Sequence, residues 1–191
     1  MSKIGKHGVT TTTPENILLG AGTYMKNLKY TDGAWTGEIL GATNGGGKVE
    51  IAGEYLDLAV DGMLRMTKGF TVKMGGKATM EANMAELTGE NIKIATNFAL
   101  GDSDADGYDM FVDKAEIEEG DYIDGFAFVG KTANGKKDII VIFESALCKS
   151  AFTLEPKNKE KSVLKLVMEC YGENEGDLDT LPVKIYYPSA A

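Results

Sequence analysis

The feature that most constrains this chain is the alternation of apolar and polar side chains in several of its segments. Residues 77–84 show it most clearly, because polar side chains there alternate with Ala78, Met80, Ala82 and Met84. Residues 163–170 repeat the pattern. Since successive side chains of a strand point to opposite faces, this period of two predicts strands with one buried face. Residues 138–147 are apolar at consecutive positions, which predicts a strand covered on both faces.

Two turn motifs separate the strand patterns. Residues 30–35, Tyr-Thr-Asp-Gly-Ala-Trp, predict one turn, and Gly75-Gly76 predicts a two-residue hairpin turn with positive φ. Phe70, Val72 and Met74 precede the glycine pair at alternate positions, so we expect them to share a buried face. The two glycines would then join two separate strands.

A single helix interrupts the strands. Thr88 has the side chain of a helix N-cap, and Leu87 and Ile92 have the spacing of a hydrophobic staple around it. We expect the helix to end at Gly101, because glycine readily adopts the conformation that follows a helix. The predicted fold class is therefore mainly β with one helix.

The charge of the chain is concentrated in one segment. Of the 191 residues, those from Asp102 to Asp124 include ten acidic residues and one basic residue, Lys114, so the net charge of this segment equals the −9 of the whole chain. A chain without a basic surface is a poor general binder of nucleic acid. No apolar run reaches the length of a membrane span, and the N-terminal residues lack the apolar core of a secretory signal, so we expect no membrane partner.

The most conspicuous motif is a glycine run that follows an apolar stretch. A phosphate-binding P-loop requires a lysine and then a hydroxyl residue directly after its second glycine. Counted from Gly41, that glycine is Gly46, but Gly47 follows it, Lys48 comes one position late and Val49 has no hydroxyl. The run is therefore expected to be a flexible loop between two strands, within a long inter-strand loop of about residues 37–60.

A second motif matches half of a calcium-binding loop. Asp102, Asp104 and Asp106 occupy the first three ligand positions, and Gly107 occupies the position of the sharp turn. The second half of the motif departs from the pattern, because Asp113 stands where a bidentate glutamate is usual. We therefore expect a solvated acidic turn and no metal site, with these aspartates as the calcium candidate.

Residues for catalysis are scarce. The single histidine, His7, lies in the N-terminal segment, which argues against a multi-histidine metal site or a Ser-His-Asp triad. The two cysteines, Cys148 and Cys170, lie on predicted strands, where buried free thiols are the expected state. The sequence therefore predicts a protein that is not an enzyme and that needs no cofactor.

The order of these segments resembles the major tail proteins, or tail tube proteins, of long-tailed bacteriophages. The resemblance rests on "NILLGAGTY", "LGATNGGGKVEI", "YLDLAVDG", the glycine-pair segment and "AELTGENIKIA", and it is best over residues 17–99. It implies a β-sandwich or barrel-like subunit with one short flanking α-helix. The N-terminal arm would span residues 1–14 and a single tail-tube domain residues 15–191.

The resemblance also implies a function. Proteins of this family form rings, usually of six copies, that stack into a tube through which DNA passes without specific binding. The implied partners are other copies of the chain, the tape-measure protein, and the tail terminator and distal tail proteins. The implied location is the tail of the virion, assembled in the cytoplasm of the host bacterium. The glycine segment would be an inter-subunit loop that becomes ordered on assembly: Gly41, Thr43, Asn44, Gly45, Gly46, Gly47 and Lys48.

Alternatives remain open from the sequence. The chain could instead be the tube protein of a contractile tail, of a tail-like bacteriocin or of a type VI secretion system, or a calcium-dependent β-domain that binds other molecules. Within a DNA conduit, a net negative lumen is expected. Glu116 and Glu118 are the candidate lumen residues because they flank Ile117 on an apparent strand and so would share one face. An external position for the acidic segment is the competing expectation.

Overall fold

The computed structural model describes residues 8–133, 138–173 and 178–188. In this part of the chain there are ten strands: β1 Leu18–Thr31, β2 Ala34–Ile39, β3 Thr43–Asp57, β4 Thr71–Met84, β5 Ala99–Gly101, β6 Met110–Val112, β7 Ile123–Thr132, β8 Asp138–Cys148, β9 Leu164–Tyr171 and β10 Val183–Tyr186. There are two short α-helices, α1 Thr13–Asn16 and α2 Gly89–Thr96, and a 3₁₀ turn at Glu119–Asp121. The prediction of a mainly β fold is confirmed.

Eight of these strands form one antiparallel sheet in the order β2-β1-β7-β8-β9-β4-β3, with β10 added beside β8. The segment between β2 and β3 connects the two edges of this sheet, because β2 is the first strand of the order and β3 is the last. The Leu40 N–H donates to the Tyr24 carbonyl of β1 at 2.9 Å, and the Ala85 N–H, just after β4, donates to the Ala42 carbonyl at 2.8 Å. These two bonds bring β1 and β4 together, so the sheet curls into a barrel-like body.

The core lies inside this curl. The fully buried large side chains come from five strands of the sheet: Tyr24, Met80, Met84, Phe126, Phe143, Leu164, Leu166 and Met168. The alternation predicted for residues 77–84 and 163–170 is confirmed, since their apolar side chains point into this core. The continuous apolar run of β8 is also confirmed as buried on both faces, because Val141 and Phe143 join the core while Ile140 and Ile142 join a second cluster with Leu28 and Ala127.

Helix α2 covers one end of the core. Its predicted N-cap is confirmed: the Asn91 N–H donates to the Thr88 Oγ1 at 3.1 Å. The helix ends earlier than predicted, at Thr96, because Asn97 adopts a left-handed conformation and donates its N–H to the Lys93 carbonyl. Asparagine accepts that conformation more readily than most residues. Gly101 lies beyond the helix, in β5.

The two predicted turns have different outcomes. Asp32 and Gly33 have positive φ and join β1 to β2 as a two-residue hairpin turn, as expected. The turn predicted at Gly75-Gly76 is wrong, because β4 continues through both glycines, which pair with Glu54 and Gly53 of β3. A side chain at Gly76 would come within 2.8 Å of the Ala52 carbonyl oxygen and 2.9 Å of Leu181, so close packing explains this glycine.

The long loop predicted over about residues 37–60 is also wrong, since β3 occupies most of it.

Among the described residues, no helix has both the length and the apolar character that crossing a bilayer requires.

Candidate interaction surface

The longest hairpin of the protein extends past the body. Strands β3 and β4 pair along nearly their whole length, but β9 pairs with β4 only from Thr79 to Met84. Beyond that point β3 and β4 form a two-stranded ribbon, which we define as residues 52–77. The Leu58 N–H donates to the Phe70 carbonyl at 2.7 Å, so the pairing continues into the segment that connects the two strands.

The ribbon is rich in exposed apolar side chains. Eight large ones are solvent-exposed, and Leu64 at the tip is fully so: Tyr55, Leu56, Leu58, Val60, Leu64, Met66, Val72 and Met74. The expectation that Val72 and Met74 lie on a buried face is therefore wrong, because no strand of the body reaches them. An isolated two-stranded hairpin is at best marginally stable in water, and a large exposed apolar patch marks an interaction site.

The glycine run is part of a strand and not a flexible loop. Thr43, Asn44, Gly45, Gly46, Gly47 and Lys48 all belong to β3, and only Gly41 lies in the connection before it. Gly45 and Gly46 have positive φ, and the pairing of β3 with β4 shifts between Thr43 and Gly47, which is the mark of a β-bulge. The Asn83 amide holds the bulge by donating to the Gly46 carbonyl at 3.1 Å.

Gly47 has a packing role that the sequence did not reveal. The Tyr24 hydroxyl donates to the Glu81 carbonyl oxygen at 2.6 Å, directly beneath this glycine. A Cβ at Gly47 would overlap both the hydroxyl and that carbonyl and would lie 2.9 Å from the ring carbon Cζ. Burial, together with the negative charge of Glu81, raises the pKa of Tyr24 to about 12, so the phenol stays protonated and able to donate. The inter-subunit role predicted for residues 41–48 stays a prediction.

The calcium candidates lie in the turn of a small hairpin. Asp102, Asp104 and Asp106 fall between β5 and β6, with Gly107 at positive φ as the turn requires. In the described residues, no three acidic, histidine or cysteine side chains are grouped closely enough to hold a metal ion. The three aspartates therefore have the sequence of half a calcium loop without its geometry.

The candidate lumen residues do not share a strand face. Strand β6 ends at Val112, Glu116 lies in a bend, and Glu118 precedes the 3₁₀ turn. The predicted strand over these residues is wrong, because ion pairs of a lysine organise the local structure: Lys114 Nζ lies 2.8 Å from Glu118 and 2.6 Å from Asp121. A lumen position for Glu116 and Glu118 stays a prediction. The Asp121 side chain is only 3% exposed, and its carboxylate also accepts from the Glu118 N–H at 2.8 Å.

This ion pair shifts the pKa of both of its partners. Burial alone would raise the pKa of Asp121, but the Lys114 ammonium and the Glu118 N–H outweigh burial and lower it. Hydrogen bonds to Asp121 and Glu118 raise the pKa of Lys114. The one basic residue of the acidic segment therefore stabilises the local structure of that segment around residues 114–121.

The two cysteines are free thiols, as expected. Cys148 is buried, and its Sγ lies 3.2 Å from the Ser150 hydroxyl. Burial raises the pKa of Cys170 to about 12, which keeps that thiol protonated and unreactive at neutral pH.

No protein-family model matches this chain, and no curated protein matches it.

Proposed function

We propose that this chain is a structural subunit of a bacteriophage tail tube, which polymerises into stacked rings and forms a conduit for DNA. The observation that supports this best is the ribbon. It extends past the last residue of β4 that pairs with β9, and it presents large apolar side chains such as Leu56, Leu64 and Met74 to solvent. A second copy of the chain would bury these side chains.

The total surface supports the same proposal. The chain exposes 13,572 Å², whereas a compact monomer of 191 residues exposes roughly 9,000 Å². Surface in such excess, together with the exposed apolar side chains of the ribbon, favours burial in an assembly. The contact would be between different surfaces of neighbouring copies, which is the geometry that generates closed rings or open stacks.

The outer edge of the sheet offers a further contact. Strand β2 ends the strand order, and all six of its residues are exposed. An unpaired edge of this kind can accept a strand from a neighbouring copy through main-chain hydrogen bonds. Rings closed by such contacts would suit a tube wall.

The charge distribution suits a duct for DNA. A basic lining would hold phosphates, and each contact would add to affinity and to its salt dependence. The chain offers an acidic segment instead, in which Lys114 already pairs with Glu118 and Asp121. We propose a net negative lumen, with the tape-measure protein inside it during assembly and the terminator and distal proteins at its ends.

Negative-stain electron microscopy of the purified chain tests this function. We expect rings or tubes from the unmodified protein, and none from Leu64→Asp, which places a charge at the tip of the ribbon. Leu100→Asp is the matched control, because Leu100 is an exposed leucine outside the ribbon; we expect it to assemble normally. Monomers under all salt and concentration conditions would contradict the proposal.

A further inference from the structure

A cavity of about 520 Å³ lies on the outer face of the body, where β7 begins and β9 ends. It is lined by three carboxylates, two tyrosine rings and one hydroxyl: Glu119, Asp124, Glu173, Tyr122, Tyr171 and Ser145. Asp124, Ser145 and Tyr171 are neighbours on adjacent strands, because Ser145 pairs with both of the others. Glu119 begins the 3₁₀ turn and Tyr122 directly follows it, and the Lys114–Asp121 ion pair holds this turn in place.

The three carboxylates of this cavity form no ion pairs. Most of the lysines nearby are already engaged, as in the Lys149–Glu169 and Lys184–Glu144 pairs. In contrast, no described residue forms an ion pair with any of the three lining carboxylates. Such a concave acidic site attracts a cation.

A hydroxyl on the cavity wall adds a hydrogen-bonding group to the carboxylates. Ser145 is 7% exposed and lines the cavity, and its side chain has no hydrogen-bond partner in the described part of the chain. Its oxygen is not among the fully buried unpaired atoms, which are Asn91 Oδ1 and Ser162 Oγ, so the hydroxyl faces the solvent of the cavity. A ligand that brings a hydrogen-bond donor could pair with it.

The two tyrosine rings of the cavity limit which kinds of ligand could bind there. Tyr122 and Tyr171 meet edge to face, with centroids 5.4 Å apart, and the Lys149 ammonium already lies 5.2 Å from the Tyr171 centroid. The carboxylates are not grouped closely enough to hold a metal ion. A planar organic cation with several N–H donors, such as a guanidinium, can reach separated carboxylates and a hydroxyl while it stacks on a ring.

The chain contains one arginine, and it lies at the tip of the ribbon. Arg65 is exposed between Leu64 and Met66, and no described residue forms an ion pair with it. We propose that Arg65 of one copy inserts its guanidinium into the acidic tyrosine cavity of a neighbouring copy. This inference rests on the proposed self-assembly and names one of its contacts.

The geometry of a single copy favours a neighbour as the donor. Tyr171 lies two residues past Glu169, which pairs with Thr79, so the cavity is at the end of the sheet from which the ribbon extends. Residues 71–77 of the ribbon span about 23 Å at the usual rise per strand residue, and Arg65 lies beyond them. An extended ribbon therefore holds Arg65 away from the cavity of its own copy.

A binding experiment separates this contact from polymerisation. The probe is a synthetic peptide of residues 60–70, titrated by calorimetry into the full-length Leu64→Asp variant, which we expect to stay unassembled and to have an intact cavity. We expect measurable binding, and a loss of at least about 10-fold with an Arg65→Ala peptide, because charge-assisted bonds to carboxylates are lost. An Asp124→Asn change in the protein should weaken binding of the unmodified peptide to a similar extent.

Charge reversal tests the same contact in the assembled state. Arg65→Glu should prevent tubes, and Asp124→Lys in the same chain should restore them, while Lys68→Glu, on the same connecting segment, should have little effect. No peptide binding, or equal binding of the Arg65→Ala peptide, would overturn the contact. If the peptide does not bind but the unmodified protein forms tubes, the Arg65 contact fails and the proposed function stands. If the peptide binds but no tubes form, the site for Arg65 stands and the proposed function fails.

Discussion

The two halves of β4 have the same alternating pattern and opposite surroundings. From Thr79 to Met84 the strand lies between β3 and β9, and Met80 is fully buried in the core. From Thr71 to Lys77 it pairs with β3 alone, and Met74 is 64% exposed. The body supplies its own partners for apolar side chains and the ribbon does not. The comparison shows that one pattern is covered by the chain's own strands in the body and left exposed in the ribbon, which is the basis of the proposal that the ribbon binds a second copy.

The largest effect is expected from a substitution in the body, at a position where there is no room for a side chain. Gly47→Val should cost about 4–5 kcal/mol of unfolding free energy, because its side chain would overlap the Tyr24–Glu81 hydrogen bond. Gly120→Val is the control, since no atom lies within 4 Å of a Cβ there. Chemical denaturation would compare the two, and equal stability of both variants would contradict the packing role of Gly47.

The two methionines of β4 test the comparison directly. Met80→Ala should destabilise the protein by about 3 kcal/mol, because it leaves a cavity in the core. Met74→Ala on the ribbon should change the stability of the monomer by less than about 0.5 kcal/mol and should weaken assembly. Urea unfolding measures the first effect and light scattering the second. A large loss of monomer stability from Met74→Ala would show that the ribbon is part of the core.

The ion pair between Lys114 and Asp121, within the acidic segment, gives a smaller, pH-dependent effect. Because the pKa of Asp121 is lowered in the fold, its ion pair stabilises the protein above its unfolded pKa of about 3.9 and this contribution is lost as the pH falls through the lower folded pKa. Asp121→Asn should cost about 1–3 kcal/mol at pH 7 and much less at the acid limit. Glu118→Gln, a change at a 71% exposed partner, should cost less than about 1 kcal/mol.

The difference in unfolding free energy between Asp121→Asn and the unmodified protein should therefore fall as the pH is lowered. A difference that does not change with pH would contradict the ion pair. The stabilisation from the same ion pair is also lost at high pH. Since the pKa of Lys114 is raised in the fold, its contribution is present below its unfolded pKa of about 10.4 and is lost as the pH rises through the higher folded value.

The sequence predicted the body better than the ribbon for a physical reason. Alternation in residues 77–84 and 163–170 identifies which side chains share a face, and in the body that face is covered. The same alternation at Val72 and Met74 says nothing about whether a neighbouring strand exists, and none does within the chain. The periodicity of a strand shows which way its side chains point, whereas their burial depends on other strands that are distant in the sequence.

Glycines were the second source of error. Gly75-Gly76 and Gly45–Gly47 were expected in turns and loops because glycine tolerates positive φ. Gly47 and Gly76 are instead required for close packing inside paired strands, against Tyr24 and against Ala52 and Leu181. The cavity residues Ser145 and Tyr171 could not be found from sequence, because only the pairing of β7, β8 and β9 brings them together.

Hydrogen exchange followed by mass spectrometry tests the central claim most directly, that the ribbon is the binding element of a self-assembling subunit. In the monomer, peptides from residues 52–77 should exchange quickly, because a two-stranded ribbon opens easily, while peptides from β8 and β9 should exchange slowly. In the assembled state the ribbon should gain protection by at least about 100-fold, as expected for backbone hydrogen bonds held by about 3 kcal/mol more, and the body should change little. A ribbon that exchanges equally fast before and after assembly, or one that is as protected as β8 in the monomer, would contradict the account.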